Sequence, residues 1–506
     1  DKEEIINKAI QLHIKGNIPE ASKYYLELIS QGCNDQRVFA NYGVILQGLG
    51  KLVEAGKWYR KAIRLNPDFA EAHSNLGIIL KRLGKLKEAE LSTRKAIELK
   101  PDYAKAHNFL GSIYRDLGKL KEAELSTRKA IELEPDYSKA HYNLGIILSD
   151  LGKLKEAELS TRKAIEFNPN LAKAYYSLSL IKFSDENKIW QDQLFSENIF
   201  INKSQDDQID IYFARANILH KKKKYEESSK YLQLANNLKL GLNPSNCDSL
   251  IDLSNTFLIE SDKLGINKKE QKSFSEFIFI VGMPRSGSTL LESILSLNKD
   301  VFDLGETKFL GDSFMEFKTS KQDLDLAELY RKKINNKTKV NMTTDKNLYN
   351  YQYTGIIANQ IPNAKIIHCF RNPLDNILSI YRTHFAAGHE FSSSLNDCAR
   401  VYLDQEELMT KYKSRFQSKI YDFNYDLLVN DPNKEIRSLI SWLGWKWDDQ
   451  YLSPHLNQRS IYTASNVQVR SPINSKSVGG WKNYKIMLRP AIKIITKVDT
   501  FRDLIL

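Results

Sequence analysis

A glycine-rich segment directly follows one of the most apolar runs of the chain, and its residue types suit the binding of an anion. Residues 277–281 (FIFIV) are short, apolar and β-prone, which predicts a strand buried on both faces. GMPRSGST follows at 282–289, and then an apolar stretch that predicts a helix. In a strand, turn and helix of this kind, successive backbone N–H groups and the helix N-terminus face one anion. Residues 282–289 therefore predict a phosphate loop.

This loop differs from that of the nucleotide hydrolases at one position. Its spacing matches G-x-x-x-x-G-K-[ST], but Ser288 stands where the lysine that bridges the phosphates of a triphosphate should be. A second predicted strand, at 365–370, ends in Arg371 and not in a magnesium-binding aspartate. The site therefore offers cationic side chains where a kinase would offer a metal. ATP or GTP hydrolysis and nucleotide kinase activity are disfavoured.

The two motifs together resemble those of sulfotransferases. PRSGST at 284–289 resembles the family's 5′-phosphosulfate loop, and RNPLDNILS at 371–379 resembles its 3′-phosphate motif. The resemblance implies the donor 3′-phosphoadenosine 5′-phosphosulfate (PAPS), with adenosine 3′,5′-bisphosphate as its product. It also implies that the donor is held by Arg285, Ser286, Gly287, Ser288, Thr289, Leu290, Arg371, Ser379 and, through a YEDLV-type segment, Tyr425.

The resemblance also suggests catalytic residues, because the catalytic half is similar to tyrosylprotein sulfotransferases. Glu306, in a Gly-Glu segment after the loop helix, is expected to accept the proton of the acceptor hydroxyl. Lys346 is expected to stabilise charge on the bridging oxygen. Ser465 is expected to contact the same oxygen, and Arg285 joins the catalytic set from within the loop.

Some positions leave alternatives open or depart from the family pattern. His384 and His389 are fallback bases, since cytosolic sulfotransferases use a histidine. Arg382 is a further candidate for the 3′-phosphate. Many relatives carry a basic residue beside the last tryptophan, whereas this chain has Gly-Gly before Trp481. Arg470 and Lys476 are candidate substitutes for that basic residue.

The amino-terminal third of the chain is repetitive. GKLKEAELSTRKAIE occurs at 84–98, 118–132 and 152–166, a spacing of 34 residues, and a looser copy lies at 50–64. Glycine, alanine and proline recur in phase over 36–171, which resembles the tetratricopeptide repeat, a pair of antiparallel helices. One repeat cannot bury its own apolar face, so the array is expected to form a continuous solenoid with a groove.

Two rows of equivalent residues could serve the groove of this solenoid. Asn41, Asn75 and Asn143 share one repeat position, interrupted by Phe109, and resemble the asparagine ladder with which O-linked N-acetylglucosamine transferase clamps a peptide backbone. We expect an acceptor protein or peptide to bind there, with a mere spacer or dimerisation arm as the alternative. A second row consists of His73, His107 and His141, for which packing within each helix pair is favoured over metal binding.

The predicted architecture is an all-α tetratricopeptide-repeat solenoid followed by an α/β catalytic domain with a phosphate-loop-type parallel sheet. Strands are predicted at 277–281, 340–344 and 365–370, each followed by helical sequence. The predicted boundaries are 1–245 for the solenoid, 246–273 for a connecting segment and linker, and 274–506 for the sulfotransferase domain.

Composition and charge limit the partners and the compartment. Lys and Arg number 74 against 62 Asp and Glu, a net charge of +12, which favours anionic ligands. An arginine-aromatic pattern is missing, so nucleic acid is not expected. The four cysteines form no CxxC pair, so neither a disulfide scaffold nor a metal site is expected. Neither an apolar stretch of about 20 residues nor an export signal is found, so we expect a cytoplasmic protein without membrane contact.

The expected function is transfer of a sulfuryl group from PAPS to an acceptor hydroxyl, favoured on a protein or peptide tyrosine. A carbohydrate or small metabolite is the alternative acceptor, because PRSGST recurs across those classes. A rival of another kind is a repeat-based interaction scaffold whose nucleotide site is inactive.

Overall fold

The computed structural model describes residues 2–181, 189–267, 275–320, 324–457 and 468–505. The chain divides into two compact units, the first made mainly of residues up to Leu178 and the second mainly of residues from Gln191 onwards.

The first unit is built of antiparallel helix pairs, as the 34-residue period predicts. A leucine or alanine begins most of its helices, and short turns join them. The helices are Lys2–Ile14, Ile18–Ser30, Gln36–Gly48, Leu52–Leu65, Ala70–Arg82, Leu86–Leu99, Ala104–Asp116, Leu120–Leu133, Ser138–Asp150, Leu154–Phe167 and Ala172–Leu180.

The two helices of each pair approach closely at a glycine in the first helix. A Cβ at Gly111 would lie 2.1 Å from Thr127 Oγ1 and 3.1 Å from the carbonyl oxygen of Ala123. The same contact recurs one repeat before and one after, at Gly77 with Thr93 and at Gly145 with Thr161. The repeat glycine therefore sets the spacing within a pair, because any side chain there would push the second helix away.

The histidine row closes the turns between repeats. His73, His107 and His141 each place Nε2 2.9 Å from the carbonyl oxygen of a proline six residues earlier. These hydrogen bonds span the turn before each helix. Packing within a helix pair, which the sequence favoured, is seen for His141, whose ring centre lies 5.2 Å from that of Phe167.

The asparagine row is partly engaged within the unit itself. Asn143 donates from Nδ2 to Oδ1 of Asn108 at 2.9 Å. Phe109, which interrupts the row, packs against the core of the first unit and has Lys81 Nζ 5.7 Å from its ring centre. Peptide binding by this row stays a prediction.

The helices that follow the repeats belong to the second unit. This placement differs from the predicted boundaries at 245 and 273. Asn236, on the helix Tyr225–Leu242, donates from Nδ2 to the carbonyl oxygen of Tyr381 at 3.0 Å. The segment predicted as a connection instead forms the helix Cys247–Lys263, whose Leu250 carbonyl accepts from Gln352 Nε2 at 2.9 Å. Helical periodicity continues across the boundary between the two units. The sequence pattern therefore does not show where helices stop packing on the repeats and begin to pack on the second unit.

The second unit contains a five-stranded parallel sheet in the order β2-β3-β1-β4-β5. The central strands β1, β3 and β4 are those that the sequence predicts, and the fold class is confirmed. The edge strands β2 and β5 were not predicted, because they are only three and five residues long and carry no clear pattern. The strands are β1 Glu276–Gly282, β2 Val301–Asp303, β3 Met342–Asp345, β4 Ala364–Phe370 and β5 Ile420–Asn424.

Alternate residues of β1 enter two apolar layers. Phe277, Phe279 and Val281 pack with one set of helices, and Ile278 and Ile280 pack with the other. Helices therefore cover both faces of the sheet, as a parallel sheet requires. The helices of this unit are Ile189–Phe195, Gln205–Lys221, Tyr225–Leu242, Cys247–Lys263, Ser288–Leu295, Phe309–Thr319, Leu326–Asn335, Thr354–Gln360, Pro373–Tyr381, Leu395–Phe416, Tyr425–Asn430, Pro432–Leu443 and Arg489–Ile495.

Within the described ranges, the structure contains no helix with the length and apolar character needed to cross a membrane.

Candidate active site

The predicted site residues come from the carboxyl ends of all five strands. The phosphate loop follows β1, Glu306 follows β2, Lys346 follows β3, Arg371 follows β4 and Tyr425 follows β5. Because the strands are parallel, these ends meet at one edge of the sheet, where ligands of open α/β sheets bind. Residues far apart in sequence are thereby gathered into one region.

Two glycines of the phosphate loop have no room for a side chain. Gly282 has a φ of +139°, and a Cβ there would lie 2.2 Å from the carbonyl oxygen of Cys369 on β4. Gly287 has a φ of +98°, and its Cβ would lie 2.4 Å from Cδ2 of Tyr425. Between them Arg285 adopts a left-handed φ of +65°, a conformation that a non-glycine residue rarely holds outside functional sites.

Buried polar atoms at the loop suit a polyanionic ligand. The hydroxyl of Ser286 and Nε of Arg371 are buried and have no hydrogen-bond partner among the described residues. The helix Ser288–Leu295, here the loop helix, begins directly after the loop and is buried along its whole length. Buried donors and a helix N-terminus satisfy an anion better than they satisfy an empty cavity. The phosphate groups of a nucleotide such as PAPS fit this arrangement.

Arg371 is fixed from three sides. Its guanidinium lies over the ring of Tyr425, 4.8 Å from the ring centre, and Nη2 donates to the carbonyl oxygen of Ser477 at 2.8 Å. Asp375 lies 4.0 Å from the same nitrogen. The hydroxyls of Tyr425 and Ser477 are 3.1 Å apart. Tyr425 and Arg371 therefore form one unit with a segment near the carboxyl terminus.

Ser379 meets the phosphate loop across the sheet edge. It lies on the helix Pro373–Tyr381 and accepts a hydrogen bond from Nε of Arg285 at 3.2 Å. The residues predicted for the 5′ and 3′ ends of the donor are thus brought together by a direct contact.

Two side chains that the sequence reasoning missed hold these pieces in place. Asn376 donates from Nδ2 to the carbonyl oxygen of Pro284, which ties the loop to the helix Pro373–Tyr381. Asp375 accepts from the backbone N–H groups of Gly479 and Trp481, at 2.6 and 2.9 Å. Burial raises the pKa of Asp375, while these two N–H groups oppose the rise. Their position within the RNPLDNILS motif was the available signal.

The departure from the family pattern at Gly479 and Gly480 has a structural reason. Gly479 has a φ of +74°. The carboxylate of Asp375 accepts hydrogen bonds from the backbone N–H groups on either side of Gly480, those of Gly479 and Trp481. Of the predicted substitutes for the missing cation, Arg470 donates from Nη1 to the carbonyl oxygen of Asn457 at 2.7 Å. Arg382, the further candidate for the 3′-phosphate, lies with its guanidinium 5.8 Å from the ring centre of Tyr484.

Glu306 and Lys346 form an ion pair. Nζ of Lys346 donates to Oε1 of Glu306 at 2.8 Å. The lysine is 1% exposed, whereas the glutamate side chain is 57% exposed. A solvated carboxylate beside a buried ammonium can take a proton from an incoming hydroxyl while the cation stays in place.

A buried aspartate fixes the segment that carries this pair. Asp345 accepts hydrogen bonds from the hydroxyls of Tyr330 and Thr307 at 2.8 and 3.0 Å, and from the backbone N–H of Asn347 at 3.0 Å. Burial raises the pKa of Asp345 to about 6, against the lowering effect of these donors. The loop with Glu306 is thereby joined to the end of β3.

Aromatic side chains lie near Glu306, the predicted base. His389 stacks on Phe385 with ring centres 4.9 Å apart, and Tyr349 lies 5.5 Å from His389. The charge of Glu306 acts on both Tyr349 and His389. Burial lowers the pKa of His389, against the opposing effect of the Glu306 and Glu390 charges. His384, the other fallback, instead stacks on Phe213 with Nε2 3.3 Å from Asp210.

Ser465 lies outside the described residues. In the part of the chain that the structure describes, no group of three or more His, Cys, Asp or Glu side chains has the geometry of a metal site.

Comparison with known families matches both halves of the chain. A model of the sulfotransferase family matches residues 277–340 and 322–449. Tetratricopeptide-repeat models match 43–84, 111–152, 70–103, 138–171 and 209–240. The last match covers the helix pair that packs in the second unit.

Three relatives are 24–31% identical to this chain over aligned regions of 231–243 residues. An uncharacterized protein of Aquifex aeolicus (strain VF5) is 31% identical over 242 residues, which are 43% of this chain and 32% of that protein. A putative protein-tyrosine sulfotransferase of Caenorhabditis briggsae is 24% identical over 41% of this chain and 81% of its own length. Protein-tyrosine sulfotransferase 1 of Danio rerio is 25% identical over 40% and 65%. The match thus spans about a third of the Aquifex relative.

Among solved structures, the crystal structure of MamA is 24% identical and covers 33% of this chain and 96% of its own, with a TM-score of 0.29.

Proposed function

We propose that this chain, which joins tetratricopeptide repeats to a sulfotransferase-family domain, transfers a sulfuryl group from PAPS to an acceptor hydroxyl on a protein or peptide, with tyrosine as the favoured residue. The observation that carries the proposal is the Glu306–Lys346 pair, 2.8 Å apart, at the sheet edge that also holds the lysine-free phosphate loop.

The donor site is assigned by charge and by hydrogen-bonding capacity. Ser286 and the loop backbone would hold the 5′ end, together with Gly287, Ser288, Thr289 and Leu290 at the start of the loop helix. Arg371 and Ser379 would hold the 3′-phosphate, and Tyr425 would lie by the nucleotide. Two arginines and a helix N-terminus offset the negative charge of such a ligand without a metal.

The donor supplies an activated sulfuryl group on its 5′-phosphate. In the transfer, the bond between sulfur and the phosphate oxygen breaks, and a bond from sulfur to the acceptor oxygen forms. Glu306 receives the proton of that hydroxyl. Lys346 and Arg285, with Ser465 as a further candidate, stabilise the charge that develops on the leaving oxygen. The residues mainly align the reactants and offset charge, which suits a loose transition state.

A phenol is favoured as acceptor for two reasons. The charge of Glu306 acts on Tyr349 and His389, and the ring of Phe385 stacks on His389. These rings would offer an aromatic surface to a planar side chain. Two of the relatives carry the name protein-tyrosine sulfotransferase. The repeats would bind the acceptor chain, because asparagine rows can hold a peptide backbone without reading its side chains.

The test combines binding with transfer. Calorimetry measures the affinity for adenosine 3′,5′-bisphosphate and for ATP, and radiolabelled PAPS measures transfer to a tyrosine peptide, to the same peptide with phenylalanine, and to a carbohydrate. We expect the bisphosphate to bind and only the tyrosine peptide to be labelled. Glu306→Gln should lower kcat by about a hundredfold or more, the range of general-base catalysis. Glu316→Gln, on the exposed face of a nearby helix, is the control.

Three other outcomes of this test would each change the assignment in a different way. If only the carbohydrate is labelled, PAPS is still the donor, but the acceptor is a carbohydrate and not a protein. Bisphosphate binding without any transfer would favour the inactive scaffold. Tight binding of ATP with no binding of the bisphosphate would overturn the proposal altogether.

A further inference from the structure

The loop helix carries one charged residue in an otherwise uncharged and fully buried stretch. Glu292 is its fifth residue, between Leu291 and Ser293, and is 2% exposed. Its Oε2 lies 3.9 Å from Nζ of Lys346. Burying a carboxylate in this way costs much free energy unless a counter-charge lies beside it. The ammonium of Lys346 is such a counter-charge.

Lys346 therefore lies within reach of two carboxylates that come from different strands. Glu306 follows β2 and is solvated, while Glu292 follows β1 and is buried. Lys346 itself follows β3, which lies between β2 and β1 in the sheet. The three residues join the loop helix to the segment that carries the base.

We infer that Glu292 is a positioning residue for the transfer reaction, holding the ammonium of Lys346 in place and paired while Glu306 changes charge. This inference rests on the proposed function.

The physical reason lies in the proton transfer. When Glu306 accepts the proton of the acceptor hydroxyl, it becomes neutral and no longer balances the charge of Lys346. A buried ammonium left without a counter-charge is costly at the step where its charge is needed. Glu292 is shielded from the acceptor by burial, and its Oε2 lies 3.9 Å from Nζ of Lys346. It therefore offsets this cost throughout the reaction.

If Glu292 only positions Lys346, removing its charge should lower kcat and leave donor binding unchanged. Glu292→Gln keeps the size and polarity of the side chain and removes its charge. We expect kcat for the tyrosine peptide to fall about tenfold, a difference of about 1.4 kcal/mol in barrier. KM for PAPS and the affinity for adenosine 3′,5′-bisphosphate should stay within about twofold, because the loop and Arg371 are untouched. Glu292→Asp, which keeps the charge, should recover part of the lost kcat.

Ser293→Ala is the matched control. Ser293 is the next residue of the same helix, is equally buried, and donates its hydroxyl to the carbonyl oxygen of Thr289 within the helix. It should leave kcat unchanged. If Glu292→Gln keeps the wild-type kcat, or if bisphosphate affinity falls as much as kcat does, the positioning role is wrong.

A second measurement does not depend on activity. The free energies of unfolding of Glu292→Gln, Lys346→Met and the double variant form a double-mutant cycle. Paired charges predict a coupled, non-additive loss, in which the double variant loses less than the two single variants together. If the wild type transfers no sulfuryl group, the proposed function fails by itself. Additivity in the cycle would then still decide against the pairing of Glu292 with Lys346.

Discussion

At the scale of single residues, the site combines groups whose charge is exposed with groups whose charge is buried. Glu306 faces solvent and can exchange a proton with an acceptor, whereas Lys346 and Asp345 are sealed beside it. Arg371 keeps a buried N–H without a partner among the described residues. Such unsatisfied or uncompensated groups are costly in a resting protein, and they mark where a ligand is expected to bind.

The raised pKa of Asp345 predicts a pH dependence of stability. Because its folded-state pKa of about 6 lies above the ordinary value of 3.8, the folded protein binds this proton more tightly than the unfolded chain. Its contribution is therefore fully present below about pH 4 and is lost as the pH rises through about 6. The loss amounts to roughly 3 kcal/mol.

Asp345→Asn tests this contribution. An amide can still accept from the N–H of Asn347 and can donate to the hydroxyls of Tyr330 and Thr307. We expect the difference in unfolding free energy, wild type minus variant, to fall between pH 4 and pH 6. Urea unfolding at several pH values measures it, and a difference that is constant with pH would contradict the burial argument.

At the scale of elements, glycines decide how closely two backbones can approach. Gly287 admits the ring of Tyr425 against the phosphate loop, and Gly111 admits the second helix of its repeat. In both places the sequence pattern marks the glycine, while the neighbour it accommodates is visible only in the structure.

Gly287→Ala should disable the donor site. Alanine at a φ of +98° is strained by about 1–2 kcal/mol, and its Cβ would overlap the ring of Tyr425. We expect the affinity for adenosine 3′,5′-bisphosphate to fall at least about tenfold, or about 1.4 kcal/mol. Gly241→Ala is the control, since nothing lies within 4 Å of its Cβ. Equal affinities of the two variants would refute this account of the loop.

Gly111→Ala should destabilise the repeats, and a second substitution should repair part of the damage. The new Cβ meets Thr127 Oγ1 first, so the variant should lose about 1–3 kcal/mol, as overpacked cores do. Thr127→Ala removes that contact, although the carbonyl oxygen of Ala123 remains 3.1 Å away. Thermal unfolding of the two single variants and the double variant measures the repair. A double variant no more stable than Gly111→Ala would rule out the threonine contact as the cause.

At the scale of the whole molecule, the boundary between the two units does not follow the repeat pattern. The helix pair at 209–240 matches a repeat model, yet its side chains bond to the catalytic unit. His220 Nδ1 lies 2.8 Å from the hydroxyl of Tyr484, and Lys239 donates to the carbonyl oxygen of Phe385 at 3.1 Å. Burial lowers the pKa of Lys239 to about 8, in keeping with its place inside this contact. The helices have therefore become part of the catalytic fold.

Two fragments test where the catalytic unit begins. A fragment of residues 189–506 retains these helices, and we expect it to unfold cooperatively and to bind adenosine 3′,5′-bisphosphate with the affinity of the full chain. A fragment of residues 246–506 exposes the surface that they cover, and we expect it to aggregate. Calorimetry and thermal unfolding compare the two. A soluble 246–506 fragment with full affinity would contradict this boundary.

The amino-acid sequence alone determined the repeat period, the three central strands and the positions of the phosphate loop, Glu306, Lys346 and Arg371. These features are local, since each depends on residue types at fixed spacing along the chain. Only the tertiary structure decided that Glu292 lies beside Lys346, that Asp375 receives Gly479 and Trp481, and that helices before residue 263 complete the catalytic unit. Such contacts depend on the order of the strands in the sheet and on which apolar faces pack together. Neither of these produces a repeating pattern of residue types in the sequence.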